Sequence, residues 1–245
     1  MSRNPVRDAC AQPHHCSREV RLSVLARSPL TRDLAPEQHR ELDEYISAWS
    51  WGVGEAIMFA GDVIDGTYLV AAGRARITRP TAEGREATLD IAVPGDILGP
   101  VSTSPVEATT SCWAMETTCA LYLPAADLAQ VVDNYPSLAL AIMRFQQQRL
   151  DRGFVQDSVR MDATVEQRVA EVLQYLADKL GETRPDGSLL LQARLNRDDI
   201  AGMAGTTLES ASRVLGRFKR AGLIDSGRQW ISVQDRGALE ELSAL

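Results

Sequence analysis

Residues 195–224 read LNRDDIAGMAGTTLESASRVLGRFKRAGLI, and the spacing of caps and apolar residues in this stretch predicts two short helices joined by a glycine turn. Asn196 stands where a helix cap is needed, before Arg197-Asp198-Asp199-Ile200-Ala201. Gly205 breaks that helix, and the Thr206-Thr207 pair caps a second one, because a short side-chain oxygen satisfies amides at a helix start that have no partner of their own. A turn this tight sets the two helices at a steep angle. Ile200, Met203, Ala204, Val214, Leu215 and Phe218 form the small core between them, which leaves Glu209, Ser210, Ser212, Arg213, Arg217, Lys219 and Arg220 outside. The second helix of such a unit enters the major groove of a DNA duplex with its N-terminal half against the base edges. Arg213 has the fork geometry for guanine O6 and N7, and Glu209 accepts from a cytosine amino group. The residues around Ser226-Gly227-Arg228 and Trp230-Ile231-Ser232 predict a hairpin wing beside the phosphates.

Charge agrees with this reading only locally. The whole chain of 245 residues carries a formal charge of -7, which argues against indiscriminate coating of nucleic acid. From Arg194 to Arg228, however, there are seven basic and four acidic residues. No run of about 18 apolar residues exists, and the start, MSRNPVRDACAQPHHC, has no apolar stretch of the kind a secretory signal needs. A cytoplasmic protein without membrane contact is expected. No C-x-x-C, H-E-x-x-H or glycine-rich phosphate loop is present, and no motif sets a base beside a thiol, so an enzyme is not expected. A helix-turn-helix that binds protein alone is the reading of another class, which loss of DNA binding in Arg213→Ala separates.

Upstream, the pattern changes three times. Residues 1–30 form an arm with three prolines, Cys10, His14, His15 and Cys16, leading into a short helix at Val20, Leu22, Val24 and Leu25. Leu34, Leu42, Tyr45 and Ile46 predict an amphipathic helix over 31–49. From Trp51 to Pro124, short β-rich runs broken by glycines predict a small antiparallel barrel. Residues 125–134 read as a short helix, and Tyr135-Pro136 opens a helix of about seven turns over 136–162, since proline is tolerated in a first turn. Its stripe of Leu138, Ile142 or Met143, Gln146, Leu150 and Phe154 is too narrow and polar for a core helix. It suits a two-stranded seam with Met143, Leu150 and Phe154 between subunits, weakened by Gly153. The domains are then the arm (1–30), a sensory β-roll (31–135), a dimerisation helix (136–162) and a winged helix-turn-helix (163–245), an α+β protein.

The segment 195–224 resembles the DNA-binding helix-turn-helix of the CRP/FNR superfamily, and Glu209, Ser212 and Arg213 match the E-x-x-S-R motif of its FNR-type branch. The order of cyclic-nucleotide-binding-like β-roll, long helix and winged helix is similar too, so the resemblance covers nearly the whole chain. It implies a homodimer that reads a TTGAT-like inverted repeat in double-stranded DNA, works with RNA polymerase, and contacts bases through Glu209, Ser212 and Arg213, with Thr206, Thr207, Ser210, Arg217 and Lys219 in the same interface.

The resemblance also bears on what is sensed. Residues 95–113, GDILGPVSTSPVEATTSCW, are similar to the cyclic-AMP region of the nucleotide-binding branch, which uses a glutamate for the ribose and an Arg-Ser or Arg-Thr pair for the phosphate. Asp96 stands at the first position and Ala108-Thr109 at the second. A buried phosphate lacking arginine has no charge-assisted partner, so cyclic AMP is not expected. FNR-type sensors hold an iron-sulfur cluster with cysteines from the arm and one strand, which implies a cluster, 4Fe-4S by the thiolate count, on Cys10, Cys16, Cys112 and Cys119. The arm lacks the usual three closely spaced cysteines, so His14 or His15 is an alternative ligand. Haem, a thiol-disulfide switch or no cofactor remain as alternatives, as does the role of Cys112 and Cys119 as small buried hydrophobes.

Overall fold

The computed structural model describes residues 16–81 and 84–243, with the backbone alone at 152 and 155–162. They fall into two compact units, one of residues 16–80 and 91–153, the other of 81, 84–90 and 154–243.

The N-terminal elements are α1 (Arg18–Arg27), α2 (Pro36–Leu42), β1 (Ser47–Trp51), β2 (Ala56–Met58), β3 (Val63–Ile64), β4 (Gly66–Ala72), β5 (Ala75–Pro80), β6 (Glu86–Ala92), β7 (Ile97–Leu98), β8 (Val106–Glu107), β9 (Ser111–Ala114), β10 (Thr118–Pro124), α3 (Ala125–Asn134) and α4 (Pro136–Asp162). Strands order as β1-β10-β4-β7 and β2-β9-β5-β6, with a β3-β8 ribbon. One core lies inside the roll, where Met58, Val70, Ile77, Leu98 and Cys112 meet. The other lies between the roll and its helices, where Leu25, Leu42, Leu121, Val131 and Leu138 meet.

The helix expected over 31–49 is shorter than that. Pro36 opens α2, a single 3-10 turn Asp43–Tyr45 follows, and Ser47–Trp51 pairs along β10 from Ser47 opposite Tyr122 to Trp51 opposite Thr118. Trp49 and Trp51 share one face at the two-residue period of a strand, which the helical spacing of Leu42, Tyr45 and Ile46 concealed.

The stripe expected on α4 divides into two faces. Leu138 is buried, and Ile142 and Phe145 pack on the outer core of the roll. Leu140, Met143, Leu150 and Phe154 point outward, the last three 65%, 57% and 69% exposed. With Gln147, whose amide donates to Asp151 at 2.7 Å, these outward residues repeat every three then four positions, the spacing of a coiled-coil seam.

The C-terminal unit contains α5 (Val165–Leu180), β11 (Gly181–Thr183), β12 (Leu189–Leu191), α6 (Arg197–Met203), α7 (Leu208–Arg220), β13 (Ile224–Gly227), β14 (Trp230–Val233) and α8 (Arg236–Ser243). Thr164 and Gln167 cap α5 reciprocally, and its buried face of Val169, Leu173, Leu176 and Leu180 forms the centre of the unit. The sheet runs β11-β12-β14-β13.

Candidate nucleic-acid interface

Helix α6 starts where the sequence requires. The Asn196 side chain accepts from the Asp199 amide at 2.9 Å and Asp199 accepts from the Asn196 amide at 2.8 Å, so two orphan donors are satisfied by one pair. The chain then turns at Gly205, whose φ of 57° lies in the left-handed region that favours glycine. Thr207 alone caps α7, accepting from the Ser210 amide at 3.2 Å. Thr206 closes the turn instead, through its amide to the Ala201 carbonyl.

On α7, Ala211, Val214, Leu215 and Phe218 are buried on one side. Glu209, Ser212 and Arg213, at i, i+3 and i+4, share the opposite side. Arg213 Nη2 donates to Glu209 Oε1 at 2.6 Å, with the side chains 67% and 81% exposed. An exposed pair of this kind is worth only about 0.5 kcal/mol, so both groups remain available to bases. Ser210 is drawn into the cap, where its hydroxyl takes the Thr207 hydrogen bond. Arg217 continues the row one turn on and pairs with Glu166 Oε2 of α5 at 2.8 Å.

Lys219 is placed differently from the rest. It was expected in the row, yet Nζ pairs with Asp225 Oδ1 at 2.9 Å and donates to the Ser226 carbonyl, tying α7 to the first strand of the wing. The lysine holds the Asp225 carboxyl below its ordinary range. The wing is a hairpin pairing Gly227 with Trp230, with Arg228 and Gln229 at its tip and Gln229 at a φ of 61°. Sequence reasoning missed Leu208, which opens α7 half-exposed. An apolar side chain at that position suits a thymine methyl. Glu166 was missed as well, because nothing in the sequence places α5 beside α7.

A second site lies in the roll. A cleft of about 280 Å³ is lined by Met58, Ile77, Leu98, Glu107, Thr109 and Cys112 from the strands and loops, and by Gln146 and Arg149 from α4. Gly99 forms one wall at a φ of 84°, where a Cβ would stand 3.1 Å from the Met58 methyl. Arg149 Nη1 donates to the Ile97 carbonyl at 3.3 Å, and its guanidinium lies 5.8 Å from the Phe145 ring centre. The expectation that an anion finds no arginine here is thereby corrected. Ala108-Thr109 brings none, but the fold delivers Arg149 from α4. Asp96 is spent on the turn, accepting from the Val93 amide at 3.0 Å.

The cysteines are not gathered. Cys10, with His14 and His15, lies outside the described residues. Cys112 pairs across to Ile77 in β5, whereas Cys119 sits in β10 opposite Ser50 of β1, so the two thiols belong to different sheets. Cys16, Cys112 and Cys119 are buried and in no disulfide. Among the described residues, no three His, Cys, Asp or Glu side chains are grouped to hold a metal ion. Burial also pushes the Cys112 thiol up to about 12, against a smaller opposing pull from Arg149. The described thiols therefore do not fit a shared cluster.

A cyclic nucleotide-binding domain model matches residues 50–135 and a Crp-like helix-turn-helix domain model matches 167–242, together most of the chain. The Cyclic AMP receptor protein of Thermus thermophilus is 29% identical over 218 residues, 88% of this chain and 97% of that protein. The Fumarate and nitrate reduction regulatory protein of Yersinia pestis is 25% identical over 192 residues, 78% of this chain and 76% of that protein. Among solved structures, a mutant CooA from Carboxydothermus hydrogenoformans has the same fold at a TM-score of 0.70 and 24% identity, covering 83% of this chain and 90% of that one. With its β-roll, its long helix and its winged helix-turn-helix, the chain belongs to the CRP/FNR family of DNA-binding transcription regulators.

Proposed function

We propose that the protein binds, as a homodimer, an inverted-repeat duplex with TTGAT-like half-sites, and that a small molecule with an anionic group in the roll cleft sets its affinity. The observation that carries the DNA reading is the row of Glu209 and Arg213, both exposed, with half-buried Ser212 beside them, on a helix whose other side is packed. The seam of Leu140, Met143, Leu150 and Phe154 supplies the homodimer, and RNA polymerase is the partner that the family resemblance implies. Arg213→Ala is expected to cost about 1 to 3 kcal/mol on a matched duplex and to relax preference at one base pair per half-site. Titration of matched and mismatched duplexes at one salt concentration tests this. An equal loss on every sequence would show Arg213 to be a phosphate contact.

For the effector, the cleft offers a guanidinium, hydroxyls, an amide and an apolar floor, the mix that small-molecule sites use. Cyclic nucleotides are the first compounds to try, by thermal shift on wild type and Arg149→Leu. A shift that is the same in both proteins would remove Arg149 from the site. A cluster on Cys10, Cys16, Cys112 and Cys119, sensing oxygen or nitric oxide, is the competing reading. The separation of Cys112 from Cys119 stands against it, and anaerobic reconstitution with iron and sulfide is expected to leave the protein colourless.

A further inference from the structure

Three cations of α7 are engaged by carboxylates, and the three arrangements differ. Arg213 pairs with Glu209 on its own helix, four residues earlier. Lys219 pairs with Asp225 in the strand that follows α7. Arg217 pairs with Glu166, a residue 51 positions away on another helix. The turn that carries Glu166 is anchored. Glu166 lies in the first turn of α5, where the helix dipole favours a negative side chain. The neighbouring Arg168 fastens that turn by donating to the Ala204 carbonyl at 2.9 Å and the Ala163 carbonyl at 3.0 Å. Arg217 is at the same time open to solvent, its side chain 45% exposed against 38% for Glu166. A carboxylate oxygen 2.8 Å from a guanidinium nitrogen occupies the position a phosphate oxygen takes in a protein-DNA contact.

We propose that Glu166 is an affinity-setting residue for DNA, a built-in competitor that the duplex backbone displaces from Arg217. The proposal rests on α7 being the DNA-reading helix. Each duplex that binds breaks the Arg217-Glu166 pair before Arg217 reaches a phosphate, and Glu166 then stays nearby as a repelling charge. The penalty is independent of sequence because it acts on the backbone contact. Glu166 therefore lowers affinity for matched and mismatched duplexes by the same factor and leaves their ratio unchanged.

The test is a titration of the full-length protein with a matched and a mismatched duplex over a salt series. Glu166→Gln is expected to tighten both by about threefold, the scale of an exposed ion pair, and to steepen the salt dependence by about one counterion. In an Arg217→Gln background, where no pair has to be broken, the same change is expected to tighten binding less, by the residual repulsion alone. Glu166→Asp, which shortens the reach and keeps the charge, is expected to tighten binding less than Glu166→Gln. Unchanged or weaker binding of Glu166→Gln at an unaltered melting temperature overturns the proposal. So does equal tightening in the Arg217→Gln background, which reports removal of a charge from the surface at large. If the wild type binds no duplex at all, the DNA reading itself fails, a result distinct from either.

Discussion

Helices α4 and α7 are both amphipathic, yet they leave opposite chemistry on their outer faces. On α7 the inner face is Ala211, Val214, Leu215 and Phe218, and the outer face is charged and polar. On α4 the inner face carries Leu138, Ile142 and Phe145 at one end and the cleft residues Gln146 and Arg149 further on. Its outer face is apolar, with Leu140, Met143, Leu150 and Phe154. A charged outer face is content in water and waits for a polyanion, whereas an apolar stripe at seam spacing is complete only against another surface. The same helical period thus encodes two kinds of partner, told apart by which residues occupy the side away from the core.

The comparison breaks most easily at the buried faces. Phe218→Ala removes a fully buried ring and is expected to cost about 3 to 5 kcal/mol of stability, read from urea unfolding of the C-terminal unit. A much smaller loss would mean that α7 is loosely held. Next in size is Leu150→Glu, which sets a carboxylate in the apolar seam at a cost of several kcal/mol per dimer. Sedimentation is expected to find a monomer with little changed unfolding, because Leu150 is 57% exposed in a single chain. A dimer that persists would move the interface elsewhere.

Gly153→Ala tests the seam more gently. An added Cβ would meet nothing within 4 Å, so only helix propensity changes, by about 1 kcal/mol in favour of the helix. Dimerisation and DNA affinity are expected to rise together, and sedimentation with titration would show whether they do. An effect confined to alkaline pH concerns the cleft. Burial raises the Cys112 thiol from an ordinary value of 9.0 to about 12. A group with a raised folded value contributes stability that is full below 9.0 and is lost as pH rises toward about 12. Cys112→Val should therefore flatten the alkaline fall in the urea midpoint, and iodoacetamide should label native Cys112 far more slowly than the unfolded chain.

What could be read in advance follows the range of the interaction. The α6-turn-α7 unit was legible because Asn196, Gly205 and Thr207 act on amides within three residues, and Phe218 packs within the same stretch. The cleft was not legible. Arg149 is 40 residues from Thr109 in sequence, and only the packing of α4 on the roll joins them. The start of β1 was misread for a related reason, since Tyr45 and Ile46 satisfy a helical stripe and lie beside a strand at once. The thiols show the limit of spacing as an argument. Cys112 and Cys119 are seven residues apart, but the chain changes sheet between them.

Gln147 gives the apolar stripe of α4 one polar position, between Met143 and Leu150. In a seam formed by two copies, Gln147 meets its counterpart only when the helices are aligned without a shift. Any sliding by a heptad would leave an amide against hydrocarbon. In such a seam a single amide would fix the register of pairing at some expense in tightness.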